Sequence, residues 1–252
     1  MVLEFSKLKR GTLFGRAIRW PLSLIPAKMR LPIVQGPLKG YRWIVGSSNH
    51  GCWLGSYESD QQLLFQQWLK EGDVVFDIGA HVGFYTLLSS HLVGSTGKVV
   101  AFEPIPENLS YLKQHLEINT VGNVEIVEAA VSDRTGHDRL SNGPSSSMWH
   151  LDAEGALEVP TVKIDELVFG EKRQAPNLIK MDIEGAEARA LEGCARVIDV
   201  HHPIIVLSTH GSDVHRRCCH FLDSAGYNLT PIGETSIDEC RELIAIHGGR
   251  LL

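Results

Sequence analysis

The segment Val74–Gly83, reading VVFDIGAHVG, constrains the fold more than any other stretch of the chain. Val74, Val75 and Phe76 form an unbroken apolar run that ends in an acid, Asp77. Such a run predicts a strand buried on both faces, as in a parallel sheet. Gly79 and Gly83 then flank a tight turn that holds Ala80 and His81. Phe84, Leu87, Leu88 and Leu92 follow at helical spacing. A strand that runs through a glycine turn into a helix is a ready ligand site. Free N–H groups and the positive end of the helix dipole sit outside the carboxyl end of the strand, where open α/β sheets bind their ligands.

The pattern on either side repeats this alternation. Ser59 and Gln62 have capping-box spacing and open a helix carrying Leu64, Phe65, Trp68 and Leu69, which Gly72 stops. Lys98–Phe102 predicts a second strand, closed by Glu103. Pro104 and Pro106 mark a turn, and Leu109, Leu112 and Leu116 an amphipathic helix. Residues 124–130 alternate as a third strand. Residues 132–160 read as the one long irregular stretch, with loop chemistry over Ser141–Ser147 and with Met148 and Trp149 beyond it. A short strand is expected over 159–164, a fourth core strand over 177–182, and a helix over 185–198. The strand Ile204–Leu207 and the helix 214–225 come next. Residues 227–232 and 243–247 are two final strands with no helix between them, which suits an antiparallel pair. Strands joined by helices predict a parallel sheet with right-handed crossovers.

The turn also discriminates between ligands. Its spacing is G-x-x-x-G, and His81 stands where a dinucleotide-binding turn needs its second glycine, so a pyrophosphate would be crowded. S-adenosylmethionine carries no phosphate, and Asp77 is placed to balance its sulfonium directly or through water. Glu103, 26 residues after Asp77, is positioned to accept the hydroxyls of a ribose, which NAD and S-adenosylmethionine share. Ala129 and Ala130 offer a flat wall for an adenine. Lys180–Glu187 (KMDIEGAE) crowds three acids at the end of the fourth strand. Asp182 is the best placed, either to orient the cofactor's amino-acid end or to hold a divalent cation on a substrate hydroxyl. Glu184 and Glu187 also suit the N-terminal turn of a helix.

Composition narrows the partners. With 43% hydrophobic and 21% charged residues the chain reads as an ordinary globular protein. No apolar run approaches the ~20 residues a membrane helix needs, and no secretory signal is evident. Five cysteines without a C-x-x-C pair fit neither a disulfide framework nor a zinc site, so the expected compartment is a reducing cytoplasm. Charge is uneven. Residues 1–42 hold nine Lys or Arg and one acid, or +8, whereas the remainder holds 15 basic and 29 acidic residues, or −14. A basic arm on an acidic body fits a phosphate-bearing substrate or the cytoplasmic face of a membrane, and also a merely solvated leader. The expected division is a basic extension over 1–56 and a ligand-binding domain over 57–252.

FDIGAHVGFYTLL, VVAFEPIPENLSYLKQHLEIN, VEIVEAAVSD and LIKMDIEGAEARALEG together resemble the successive motifs of the FkbM-type methyltransferases, and the preceding GCWLGSYESD resembles their N-terminal boundary. The resemblance covers roughly residues 40–230. It implies a Rossmann-like class I methyltransferase fold: a three-layer αβα domain around a seven-stranded, mostly parallel sheet with an antiparallel last strand. It implies S-adenosylmethionine as cofactor and O-methylation of a hydroxyl on a sugar, glycoconjugate or natural-product scaffold. Carried onto this chain, Asp77, Gly79 and Gly83 hold the methionine side, with Ala80 and His81 in the same turn. Glu103 holds the ribose, with Asn108 near the adenine side, and Asp182 faces the transfer centre; Pro104 and Ala130 complete the expected cofactor-binding set. The family often has an acid after the fifth strand, in a pattern like L-x-E-x-H-G; here Ser208 and Thr209 occupy that place, while His210 and Gly211 remain.

Methyl transfer to oxygen needs a proton acceptor. His210, at the carboxyl edge of the fifth strand, is the first candidate base and His81 the second. Two other classes fit parts of the pattern. An NAD(P)-dependent oxidoreductase shares the turn and the ribose acid but lacks G-x-G-x-x-G and an evident Tyr-x-x-x-Lys pair. A non-catalytic partner-binding module fits the altered fifth-strand motif. Nucleic acid is not an expected partner, because the acidic body repels a phosphate backbone.

Overall fold

The computed structural model describes residues 21–141, 150–151, 155–233 and 236–249. A short hairpin, β1 (Arg30–Pro32) and β2 (Arg42–Ile44), precedes the helices α1 (His50–Leu54) and α2 (Ser59–Trp68). The predicted alternation then follows as β3 (Val74–Ile78), α3 (Phe84–Val93), β4 (Lys98–Phe102), α4 (Pro106–Ile118) and β5 (Val124–Val127). Four short strands come next: β6 (Ala130–Val131), β7 (Gly136–Ser141), β8 (His150–Leu151) and β9 (Leu157–Val162). The last third holds β10 (Leu178–Met181), α5 (Glu187–Gly193), α6 (Ala195–His201), β11 (Ile204–Ser208), α7 (Ser212–Ser224), β12 (Tyr227–Pro231) and β13 (Glu242–His247).

Seven strands form the main sheet in the order β12-β13-β11-β10-β3-β4-β5. The pairs β11–β10, β10–β3, β3–β4 and β4–β5 are parallel, and β13 alone runs against both of its neighbours. This is the seven-stranded sheet with one reversed strand that the family resemblance implies. Alternation along the central strands divides the core in two. Val75, Val99, Ala101 and Val206 face a cluster with Leu87 and Leu112 of the helices α3 and α4. Phe76, Val100, Ile179 and Leu207 face the opposite cluster with Leu191, Ile198 and Leu222 of α5, α6 and α7. Helices therefore cover both faces, and the loops at the carboxyl ends of β3, β4, β10 and β11 stay open.

Four local expectations change. The strand read over 124–130 ends at Val127, where the Ala129 N–H folds back onto the Val127 carbonyl at 2.8 Å. Ala130 then starts a separate four-stranded sheet, order β6-β9-β7-β8. Residues 132–160 are thus not one irregular stretch. Exposed residues alternate with less exposed ones along β7 and β9, with Arg139 opposite Glu158 in the ladder, so they lack the continuous buried run of the central strands. The helix read over 185–198 breaks at Cys194 into α5 and α6. A Cβ on Gly193 would lie 2.1 Å from the Ser132 carbonyl oxygen, so the break lets chain from the second sheet approach closely. Finally, Ser59 makes no capping box. Glu58, at a left-handed φ of 45°, precedes the helix, and the Gln62 amide donates to the Tyr57 carbonyl instead. Met148, Trp149 and residues 142–147 lie outside the described residues, as do residues 1–20 of the basic arm.

The described part of the arm is built into the body. Ile33, Leu38 and Trp43 are buried in one cluster with Val75, Leu87 and Leu112, so packing runs without interruption across position 56/57. Removing residues 1–42 would therefore take Ile33 and Leu38 out of the core as well as the charges. His115 of α4 clips this segment down. Its ring stacks on Trp43 at 3.8 Å, its Nε2 accepts from the Ile44 N–H at 3.1 Å, and its Nδ1–H donates to the Val82 carbonyl at 2.7 Å. Only the neutral ring can do both, and burial holds His115 down to about 4. The unfolded chain takes up this proton near 6.5, so the unfolded state binds more protons between pH ~6.5 and ~4. Stability is complete above that window and falls with decreasing pH at up to about 1.4 kcal/mol per unit within it. Urea unfolding of wild type and His115→Gln between pH 7 and pH 4 should show this slope in the wild type and a shallower one in the variant.

Candidate functional site

A cleft of about 350 Å³ opens at the carboxyl ends of the central strands. The turn after β3 forms its floor. Gly79 sits at φ +81°, and a Cβ there would lie 2.0 Å from the Asp182 carbonyl oxygen, so no other residue fits between the turn and the chain leaving β10. Gly79→Ala should cost about 1–3 kcal/mol for the left-handed backbone and a similar amount for the collision. The check is a clear fall in the denaturant midpoint, and an unchanged midpoint would contradict this reading of the turn.

The turn's other residues divide between cleft and core. Ala80 and His81 line the cleft, and His81 takes a left-handed φ of 51°. Burial and the nearby Lys180 ammonium, against the pull of Asp182, hold the His81 ring down to about 4. Gly83 is not on the cleft wall. A Cβ there would lie 2.5 Å from Leu112 Cδ1, so this glycine lets α3 approach α4. Asp77 is fully buried beneath the turn and is not on the wall either. Its Oδ2 accepts from the Thr86 hydroxyl at 2.6 Å, and burial pushes its carboxyl up. Asp77 thus lies beneath the turn, not on the cleft surface.

Glu103 ends β4 and forms the opposite rim. Its Oε2 accepts from the His81 N–H at 2.8 Å, and its Oε1 from the Ile105 N–H at 2.9 Å and the Asn108 amide at 3.1 Å. A carboxylate offers about four lone-pair directions, so one remains for a ligand hydroxyl. Burial pushes its carboxyl up, opposed by these three donors. Pro104, Asn108, Ala129 and Ala130 line the same end.

The other end is acidic and aromatic. Asp182 Oδ2 lies 3.4 Å from Lys180 Nζ. Burial pushes the Asp182 carboxyl up, but Lys180 and His210 outweigh it and hold it below the usual range. Lys180 in turn lies over the Tyr85 ring, and the Tyr85 hydroxyl donates to Glu58 at 2.7 Å. His210 follows β11. Its Nδ1 is 2.8 Å from Glu187 Oε1, and its Nε2 is 3.7 Å from Asp182 and 3.6 Å from Glu184. Glu187 is more than a helix-start acid. Its side chain is fully buried, and the same Oε1 accepts from the Gly185 N–H at 3.1 Å. The hydrogen bond to Glu187 raises His210 above the ordinary histidine value, against burial, and Asp182 and Glu184 add to the rise.

Several wall residues were not legible in the sequence. Tyr57, Glu58, Tyr85 and Lys180 fall within the segments that carry the family resemblance, but nothing in their residue type or spacing marks them as cleft residues. Glu242 is the most informative. It lies directly opposite Ser208 in the β11–β13 ladder, so both side chains share one face of the sheet at the cleft. A carboxylate therefore stands beside the place where the fifth strand lacks one. Thr209 does not fill that role. Its hydroxyl is 2.9 Å from His215 Nδ1, and His215 Nε2 in turn bonds the Ile237 carbonyl at 2.7 Å, so the Thr209 hydroxyl is already engaged within the protein. Only the antiparallel return of β13 brings Glu242 to Ser208, and no sequence spacing predicts that register.

Among the described residues no group of three or more His, Cys, Asp or Glu side chains is arranged to hold a metal ion. No described helix is long and apolar enough to cross a membrane.

The family model described as the methyltransferase FkbM domain matches residues 77–229. The hexuronic acid methyltransferase AglP of Haloferax volcanii is 27% identical over 158 residues, 62% of this chain and 64% of that protein. The 31-O-demethyl-FK506 methyltransferase FkbM of Streptomyces tacrolimicus is 26% identical over 159 residues, covering 50% of this chain and 60% of that protein. The chain thus spans less than two thirds of the length of these relatives. Among solved structures, the methyltransferase FkbM of Methylobacillus flagellatus superposes with a TM-score of 0.51 at 17% identity, covering 79% of this chain and 53% of that one. A SAM-dependent O-methyltransferase of Thermotoga maritima gives a TM-score of 0.50 at 13% identity, with 78% and 67% covered.

Proposed function

The chain belongs to the FkbM methyltransferase family, and from that membership we propose that it is an S-adenosylmethionine-dependent O-methyltransferase acting on a hydroxyl of a sugar, glycoconjugate or natural-product scaffold. The observation that carries the reading is the pairing, in one cleft, of the buried Glu103 rim with the His210–Glu187 dyad at the other end.

The residues present fit the cofactor. Glu103 keeps an acceptor direction for a ribose hydroxyl, Ala129 and Ala130 leave a flat wall for an adenine, and the Gly79–Ala80–His81 backbone forms the cleft floor on the methionine side. S-adenosylmethionine supplies an electrophilic methyl carbon on a sulfonium. What the chain itself contributes is orientation and proton removal. Asp182, held ionised by Lys180, provides negative charge at the transfer end. Glu187 fixes the His210 proton on Nδ1, which leaves the Nε2 lone pair toward the cleft. An acceptor hydroxyl bound there passes its proton to Nε2, and Glu187, Asp182 and Glu184 stabilise the imidazolium that results. His81, neutral and on the wall, is the second candidate base. Glu58, Glu242 and Ser208 offer hydrogen-bond partners to neighbouring acceptor hydroxyls, and Tyr57 and Tyr85 offer an apolar face.

The two named relatives are a hexuronic acid methyltransferase and a 31-O-demethyl-FK506 methyltransferase, which supports a hydroxyl acceptor on a sugar or natural product. The surplus of cations in residues 1–42 supports contact with an anionic partner. No observation favours the oxidoreductase or the non-catalytic reading. Incubating the protein with S-adenosylmethionine and a panel of sugars, uronic acids and macrolide alcohols tests the proposal. A mass increase of one methylene on an acceptor is expected. Cofactor binding with no product across the panel would favour a non-catalytic module.

A further inference from the structure

Residues 21–57 contain no Asp or Glu, whereas they carry Lys28, Arg30, Lys39 and Arg42. All four cations are exposed. Among the described residues five large apolar side chains are exposed, and three of them fall in this one segment: Leu24 at 65%, Met29 at 42% and Val34 at 52%. Val34 lies on the hairpin, and Leu24 and Met29 lie in the chain just before it. Exposure alternates along 30–34, with Ile33 buried beneath and Arg30, Pro32 and Val34 outward. Pro32 pairs directly with Arg42, so that arginine shares the outward face. Exposed apolar residues scattered singly mean little, but here they are interleaved with cations on a chain whose remainder is strongly acidic.

We infer that the outward face of residues 24–42 is a docking surface for an anionic lipid bilayer. Cations alone would suit any anion, including a soluble phosphate-bearing acceptor. The three apolar side chains favour lipid, because they gain by entering the headgroup boundary and gain nothing from a dissolved phosphate. The acidic remainder of the chain would be repelled by the same surface, which leaves this face as the one turned toward it. The segment continues to Ser48, Cys52 and Tyr57 on the cleft wall, so only a few residues separate the docking face from the site.

The inference does not depend on methyl transfer, since docking is read without cofactor or acceptor. The full chain is sedimented with vesicles of phosphatidylcholine alone or with added phosphatidylglycerol. Binding to the anionic vesicles only, weakened by salt, is expected. Lys28→Glu with Arg30→Glu should lower partitioning by at least about tenfold, and Leu24→Ser with Met29→Ser and Val34→Ser by about tenfold. These side chains are exposed, so both variants should keep the wild-type unfolding temperature. No binding to anionic vesicles would overturn the inference. So would binding that the serine variant leaves unchanged, which would point to a soluble anion instead.

Discussion

Replacing His210 with alanine should lower kcat by about 10²–10⁴-fold, the usual contribution of a positioned base, while S-adenosylmethionine affinity stays at the wild-type value. The reasoning is geometric. His210 and Glu103 lie at different ends of the cleft, and with the proposed roles of base and ribose acceptor the two substitutions separate chemistry from cofactor binding. The pH profile adds a second readout. His210 acts as a base only when neutral, and Glu187, Asp182 and Glu184 raise it above the ordinary value. Activity should therefore climb as pH rises through that raised value and level off above it. Glu187→Gln removes the largest of these influences and should move the climb to lower pH, with the plateau reduced. A merely structural Glu187 would lower activity without moving the climb, and an unchanged kcat in His210→Ala would pass the base role to His81.

Glu103→Ala should weaken S-adenosylmethionine by about 10–150-fold, the equivalent of the ~1.5–3 kcal/mol carried by a hydrogen bond to a charged group. The same change deprives the His81 and Ile105 N–H groups of their acceptor. Part of the loss is therefore a less ordered turn, and stability should fall by about 1–3 kcal/mol. Equilibrium dialysis with labelled cofactor, on samples whose circular dichroism matches the wild type, separates the two effects. Retained affinity in a folded variant would place the ribose elsewhere.

The parts of the fold legible in the sequence are those fixed by short-range signals. The apolar run into Asp77, the glycine turn and the strand closing at Glu103 are local patterns, and each matches its element to within a residue or two. What escaped depends on distant pairing. The second sheet pairs residues up to 31 positions apart, as in Ala130 with Thr161 and Arg139 with Glu158. The site divides the same way. His210 and Asp182 sit at strand ends and were legible from position alone. Glu242 reaches the cleft only through the reversed strand, and Glu58 only because the chain turns left-handed there. Asp77 lies beneath the turn, a depth that its place at the end of an apolar run does not show.

Calorimetric titration of S-adenosylmethionine into the wild-type protein, with NADH and NADPH titrated in parallel, tests the central claim most directly. Saturable binding of S-adenosylmethionine near one equivalent, with no heat from either nicotinamide cofactor, is the predicted result. A folded protein that gives no S-adenosylmethionine binding, or that binds a nicotinamide cofactor in its place, would contradict it.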